Sequence, residues 1–157
     1  TGQPSTPSVA FKIDAAGVQT SQTRGAGLGG MNVSSSGTFA GNKLAFDANI
    51  SDGAGLGLKG GGSVTTAGTP TLALDFNGKV PFSFLAAKLA AQGLALNGIA
   101  NVDVQVRGPA SAPVISGKVT TSGARLIDAR SGLAVNDIAA EVSIGGGVAR
   151  INRLTGT

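Results

Sequence analysis

The segment from Leu94 to Val106 reads Leu-Ala-Leu-Asn-Gly-Ile-Ala-Asn-Val-Asp-Val-Gln-Val, and it shows most clearly what kind of chain this is. Its even-numbered positions are mostly apolar, as at Val102 and Val104, whereas Asn101 and Asp103 between them are polar. Successive side chains of a β-strand point to opposite faces of the sheet. The pattern therefore predicts a strand with one apolar face and one polar face.

The same alternation recurs along the chain, at Leu44 to Ile50 and at Leu72 to Val80. Gly41-Asn42 suits a tight hairpin turn, because both residue types tolerate a positive φ. The glycines from Gly53 to Gly62 suit a strand that bends sharply or meets another backbone closely. Further strands are expected at about 64–67, 71–80, 94–107, 114–120, 124–129, 133–144 and 148–154. We therefore predict an all-β chain whose curved antiparallel or mixed sheet has one continuous apolar face.

The composition sets limits on the protein class. A length of 157 residues suits one domain, residues 1–157, and 41% apolar with 13% charged residues argues against a disordered chain. The only aromatic residues are six Phe, so the apolar face has little bulk. No run of apolar residues is long enough for a transmembrane helix, and the abrupt ends suggest a segment of a longer protein.

The residues that most catalytic sites require are missing. The chain has no Cys and no His, which excludes thiolate metal sites and Ser-His-Asp triads. Gly25-x-Gly27-x-x-Gly30 and Gly55-x-Gly57-x-x-Gly60 match the dinucleotide-binding pattern, but neither lies between a strand and a helix. The net charge of +4 comes from scattered Lys and Arg, without aromatic residues suited to base stacking. We expect no enzyme activity, no cofactor or metal, and no nucleic-acid partner.

One segment, Pro81 to Gly93, has the pattern of a short amphipathic helix. Pro81 suits its first turn and Gly93 its C-terminal cap. Phe82, Leu85 and Leu89 lie on one helical face, which needs an apolar surface to pack against. The helix is therefore either a plug on the apolar face of the sheet or a simple connection.

The apolar face is the candidate functional site, either as a filled core or as an open groove for acyl chains or another apolar strand. Hiding a sixteen-carbon acyl chain from water is worth about 12 kcal/mol, so such a groove needs apolar walls and no catalytic residue. The predicted groove residues are Leu72, Leu74, Phe76, Val80, Leu94, Leu96, Val102, Val104, Val106, Ile115, Val119, Ile138, Val142 and Ile144. Replacing Val104 with Asp should block lipid transfer while the sheet stays folded.

The part of the chain from 72 to 154 contains an ordered set of motifs. The helical segment after Val80 is followed by Val102 to Gly108, and then by Gly108-x4-Pro113-x3-Gly117. Gly123-Ala124-Arg125-Leu126 and the strand Leu133-x-Val135-x-Asp137-Ile138 come next. This order resembles the C-terminal region of the TamB family, the inner-membrane subunits of the bacterial translocation and assembly module, which are related to AsmA-like proteins.

The resemblance implies a β-taco, a long U-shaped sheet with an apolar inner surface, in the periplasm of a Gram-negative bacterium. It implies a full-length chain anchored in the inner membrane and an outer-membrane barrel partner of the TamA type. The implied roles are autotransporter assembly, phospholipid transport between the membranes, or both, with acyl chains or nascent outer-membrane strands in the groove. The alternative function is that of a structural adhesin or autotransporter passenger, a β-solenoid with a filled core.

Overall fold

The computed structural model describes residues 7–21, 24 and 29–157, and this part of the chain is dominated by strands. The first dinucleotide-like glycine pattern lies largely outside the described residues. The strands are β1 (Ser8–Val18), β2 (Met31–Ala40), β3 (Lys43–Ser51), β4 (Gly57–Thr65), β5 (Thr71–Pro81), β6 (Leu94–Asn97), β7 (Ile99–Pro109), β8 (Val114–Asp128), β9 (Leu133–Gly145) and β10 (Val148–Thr155). Between β5 and β6 a 3-10 turn, Phe82–Leu85, leads into the helix α1 (Ala86–Ala90).

The strands form a single curved, open sheet in which every pairing is antiparallel. The order is β1-β2-β3-β4-β5-β7-β8-β9-β10, and β6 pairs with β8 beside this path. Each strand of the main path thus pairs with its neighbour in sequence, apart from the helical excursion between β5 and β7. The predicted fold class, an all-β taco-like sheet with one short helix, is confirmed.

Three strand assignments differ from the sequence prediction. The expected strand 64–67 is the end of β4, which begins at Gly57 and stops at Thr65. The predicted strand 94–107 is interrupted at Gly98, whose φ of +131° lies outside the range that other residues readily adopt. The predicted strands 114–120 and 124–129 are one strand, β8, because the expected break is a β-bulge between Thr121 and Ala124. The bulge lets β8 pair with β7 through its first half and with β6 through its last residues.

The hairpin turn between β2 and β3 agrees with the sequence prediction. Gly41 and Asn42 have φ values of +56° and +63°, which are those of a two-residue hairpin turn. The helical segment is shorter than predicted, with its α-helical part limited to Ala86–Ala90. Gly93, with φ of +75°, ends the turn that follows the helix.

The sheet buries little of itself. Among the described residues Leu56, Ala100 and Ala124 form the buried hydrophobic core, and of these three only Ala124 is completely buried. The accessible surface is 9724 Å², whereas a compact monomer of this mass would expose about 7,100 Å². An open sheet on which no second layer of described residues packs exposes more surface than a compact fold. No helix in the described part of the chain is long and apolar enough to span a membrane.

Candidate functional site: the apolar face of the sheet

Strand register aligns the apolar residues of the whole sheet on one face. Residues directly opposite each other on neighbouring strands point to the same side. One such row runs across the sheet through Val33, Ile50, Leu58, Gly78, Val102, Val119, Val142 and Ile151. The next runs through Ile13, Ser35, Ala48, Gly60, Phe76, Val104, Gly117, Ile144 and Ala149. We call this side the apolar face.

The register places all fourteen predicted groove residues on the apolar face. Leu94 and Leu96 reach it through β6, where they lie opposite Asp128 and Leu126 of β8. Ile138 reaches it opposite Ala124, beyond the bulge of β8. Thirteen of the fourteen are half-buried, and Ile115 is the exposed one, at 45%. The face is therefore neither a closed core nor fully in contact with water.

The apolar face extends beyond the residues that the sequence analysis singled out. Val9, Phe11 and Ile13 of β1 lie on it, as do Leu44 and Phe46 of β3. Their alternation with polar residues was visible in the sequence, but their common face becomes evident only from the strand pairing. β10 extends the face further through Ile151 and Leu154, which are 68% and 63% exposed.

On the apolar face, glycines leave room for the aromatic rings of the neighbouring strands. A Cβ atom on Gly60 would collide with the ring of Phe76, which lies opposite it on β5. A Cβ atom on Gly37 would be 2.8 Å from two ring atoms of Phe11. The rings therefore lie flat across glycine backbone, which buries part of each ring without a second layer.

The helical segment lies at one end of the sheet. The backbone N–H of Phe82 donates a hydrogen bond to the carbonyl oxygen of Gly98 at 3.0 Å, and the Phe82 ring packs beside Gly98 and Ala124. Helix α1 packs against β6. Of the predicted plug residues, Phe82 and Leu89 are half-buried, and Leu85 is 44% exposed. The helical segment thus contacts the sheet at β6 and at Gly98.

The opposite side of the sheet is polar and contains an open depression of about 900 Å³ across β1 to β5. Lys12, Asp47, Lys59 and Asp75 are among its lining residues, and buried Gly61 is in its floor. No predicted groove residue lines this depression or the two smaller ones on the first strands of the sheet. The two faces are thus chemically distinct, one polar and the other apolar.

Ion pairs on the polar face link neighbouring strands. The guanidinium of Arg107 donates to both carboxylate oxygens of Asp75, at 2.7 and 2.9 Å. Lys118 lies 3.0 Å from Glu141, and this hydrogen-bonded contact lowers the pKa of the glutamate carboxyl below its ordinary value.

In the β8–β9 turn the Ser131 hydroxyl and the Arg130 backbone N–H donate hydrogen bonds to Asp128, and they lower the pKa of that carboxyl below its ordinary value. Among the described residues no three acidic side chains gather into a metal site.

These two lowered pKa values predict a small acid sensitivity. A carboxyl whose pKa is lower in the folded state adds stability that is fully present above its unfolded pKa, and that is lost as the pH falls through the folded value. We therefore expect the melting temperature to be flat between about pH 5 and 7 and to decline below about pH 4. Thermal unfolding across this range measures it. Glu141→Gln should reduce the slope, and an identical slope in this variant would contradict the assignment.

Comparison with known proteins brings no relative to this chain: no family model, no curated protein and no solved structure matches it. The functional argument therefore depends on the geometry of the apolar face.

Proposed function

We propose that this chain is a segment of a TamB-like periplasmic bridge, and that its apolar face carries acyl chains or apolar polypeptide strands between the inner and outer membranes. One observation supports the proposal most strongly. The apolar residues of nine consecutive paired strands lie on one side of an open sheet that no second described layer covers. At the usual spacing of strands this surface extends about 38 Å.

The chemistry of the face suits a conduit better than a specific binding pocket. Its walls are mainly Val, Leu, Ile, Phe, Ala and Gly, which offer dispersion contacts and no fixed hydrogen-bond pattern. A ligand gains about 0.8 kcal/mol for each CH₂ group removed from water, wherever along the surface it lies. The order of motifs from 72 to 154, which resembles the TamB family, supports the same proposal.

The proposed function extends to partners and location. In the full-length protein the segment would lie in the periplasm, between an inner-membrane anchor and an outer-membrane barrel of the TamA type. The cargo would be phospholipid, nascent outer-membrane strands, or both. These statements depend on the resemblance of residues 72–154 to the TamB family, and the binding experiment below tests the step on which they all depend.

The experiment compares two Asp substitutions at adjacent residues of β7. Val104 lies on the apolar face, between Phe76 of β5 and Gly117 of β8, whereas Gln105 points to the polar face and is exposed. Val104→Asp places a carboxylate in the path of the acyl chain, so we expect the affinity for a fluorescent acyl probe to fall at least about tenfold. Gln105→Asp makes the same change of charge and should leave the affinity unchanged. Leu96→Asp tests the β6 end of the face in the same way.

Native mass spectrometry with lipid extraction completes the test, on chain purified from a bacterial envelope without detergent. Phospholipid that copurifies with the wild-type chain, and not with folded Val104→Asp, supports the conduit. Competition between the acyl probe and an amphipathic strand peptide distinguishes the two kinds of cargo. A ligand-free mass without probe uptake would mean that the face is closed, and would favour the structural, adhesin-like alternative. Circular dichroism checks that each variant is folded.

A further inference from the structure

The sheet has an inner edge at β6, the short strand that follows the helical segment. β6 pairs with β8 on one side, and among the described residues no strand pairs with its other side. The neighbouring strand β5 pairs with β7 but ends at Pro81, so it stops before it reaches the level of β6. The chain from β5 through α1 to β8 is described without a gap. The β6 edge is therefore an internal feature of the sheet.

The hydrogen bonds of β6 show which of its backbone groups face this edge. The N–H of Ala129 donates to the carbonyl oxygen of Gly93 at 2.9 Å, just before β6 begins. Hydrogen-bonded and non-hydrogen-bonded pairs alternate along an antiparallel ladder, so the N–H and C=O groups of Leu94 and Leu96 point away from β8. No described residue forms a backbone hydrogen bond with these outward groups. They can therefore pair with an added strand.

The helical segment covers the β6 edge without pairing with it. The 3-10 turn Phe82–Leu85 and helix α1 both lie beside β6. Four of the five residues of α1 are nevertheless exposed, namely Ala86, Ala87, Lys88 and Ala90. A helix of little more than one turn has almost no stability of its own. The segment is therefore a cover that an incoming strand can displace.

Two arginines at the ends of β6 indicate the charge of such a strand. Arg125 of β8 lies opposite Asn97, the last residue of β6, and its side chain is exposed. The Arg130 side chain lies beside Gly93, where a Cβ atom would be 3.0 Å from its Cγ and Nε atoms. Neither arginine forms an ion pair with a described residue. A partner with carboxylates on this side of β6 would neutralise both charges.

We propose that β6 binds an extended peptide in which apolar and acidic residues alternate, and that this peptide joins the sheet as an antiparallel strand in place of the helical cover. Its apolar residues lie opposite Leu94 and Leu96 on the apolar face, because residues opposite each other share a face. Its acidic residues point to the other face, with Arg125 and Arg130 at the two ends of β6. The inference goes beyond the proposed function, since it concerns the backbone of β6 and requires no acyl chain.

The peptide Glu-Val-Glu-Val-Glu, titrated into the isotope-labelled 157-residue chain and followed by nuclear magnetic resonance, tests the proposal. The largest shifts are expected at the amides of Leu94 and Leu96. With the valines opposite these residues, the valine N–H groups face β6 and the central glutamate N–H faces away. N-methylation of both valines should therefore weaken binding at least about tenfold, whereas N-methylation of the central glutamate should leave the affinity unchanged.

Charge reversal on the protein tests the arginines. Arg125→Glu/Arg130→Glu should weaken binding of the same peptide about tenfold, because two attractions become repulsions. Arg150→Glu makes the same kind of change on β10 and should leave the affinity unchanged. Binding of the acyl probe should be equal in all these variants, so that peptide binding and acyl binding can fail independently. Circular dichroism checks that each variant is folded.

The variant Ala87→Gly/Ala90→Gly tests the cover. Both side chains are exposed, so glycine weakens the helix without removing a contact, and peptide affinity should rise at least about threefold. An unchanged affinity would show that the helix is not displaced and would overturn the proposal. The same holds if the two methylated peptides bind equally, if the shifts lie at β1 or β10, or if no shift occurs.

Discussion

Ala124→Leu is expected to lower the free energy of unfolding by about 3 kcal/mol, the largest effect of any single substitution proposed for this chain. Ala124 is completely buried. Its Cβ atom lies 3.0 Å from where a Cβ of Gly98 would be, and the Phe82 ring closes the same space. The larger side chain must displace either the β6–β7 connection or the 3-10 turn.

Urea denaturation followed by circular dichroism measures the loss. Ala95→Leu is the matched control, because Ala95 lies in the adjacent strand β6 and is exposed. Its effect should stay within about 0.5 kcal/mol. Equal effects of the two substitutions would show that the helical end is loosely packed, and that Ala124 has no special role in holding it.

The second large effect is expected from Gly61→Ala, which should cost about 2 kcal/mol. Gly61 is buried in the middle of β4, between Asp47 of β3 and Asp75 of β5. An added Cβ would collide with the carbonyl oxygen of Phe46 and would lie 2.9 Å from the Cα and Oδ1 atoms of Asp47. Since these are mainly backbone atoms, β3 and β4 would have to separate.

Gly57→Ala is the internal control for this prediction. Gly57 lies in the same strand, and a Cβ atom there would meet no atom within 4 Å. Alanine also restricts the unfolded chain more than glycine does, so this variant should be neutral or slightly more stable. The prediction is wrong if the two variants have the same urea midpoint. In that case the close approach of β3 and β4 at Gly61 would not contribute to the stability of the sheet.

The fold was predictable to a large extent because one signal, alternation with a period of two, extends over most strands. From Leu72 to Val80 the pattern marked β5 almost to the residue, and Gly41-Asn42 marked the turn between β2 and β3. The glycines of β4 indicated close approach of another backbone, and Gly61 has that environment. The first two features depend on residues close together in the sequence, which a sequence pattern reports directly, whereas the close approach at Gly61 was indicated by residue type alone.

The misplaced boundaries depend on contacts between distant residues. The break at Gly98 follows from the approach of Ala124, which lies 26 positions later in the chain. The gap expected near Ser122 is a bulge because β9 continues to pair on both sides of it. The helix is shorter than predicted because its first turn, Phe82–Leu85, adopts the tighter 3-10 form, in which the N–H of Phe82 pairs with Gly98.

For the candidate site, the sequence indicated which residues of a strand share a face but could not give the extent of that face. The predicted groove contains no residue of β1, although Phe11 and Ile13 have the same alternation as Leu72 and Leu74. Only the pairing of β1 with β2 places them on the same surface. The degree of burial could not be predicted from the sequence either. Val104 is half-buried because it pairs with β5 and β8, and the residues opposite it on β5 and β8 lie far from it in the sequence.

The meander topology gives the molecule a modular width. Each main-path strand pairs with its neighbours along the chain. The stability of the sheet is therefore approximately a sum of terms for single hairpins and for the contacts between adjacent hairpins. Adding or removing a whole hairpin changes the span by two strand spacings, about 10 Å, and leaves every other pairing intact. The width of such a sheet is therefore set by the number of hairpins in the chain, independently of the side chains within each hairpin.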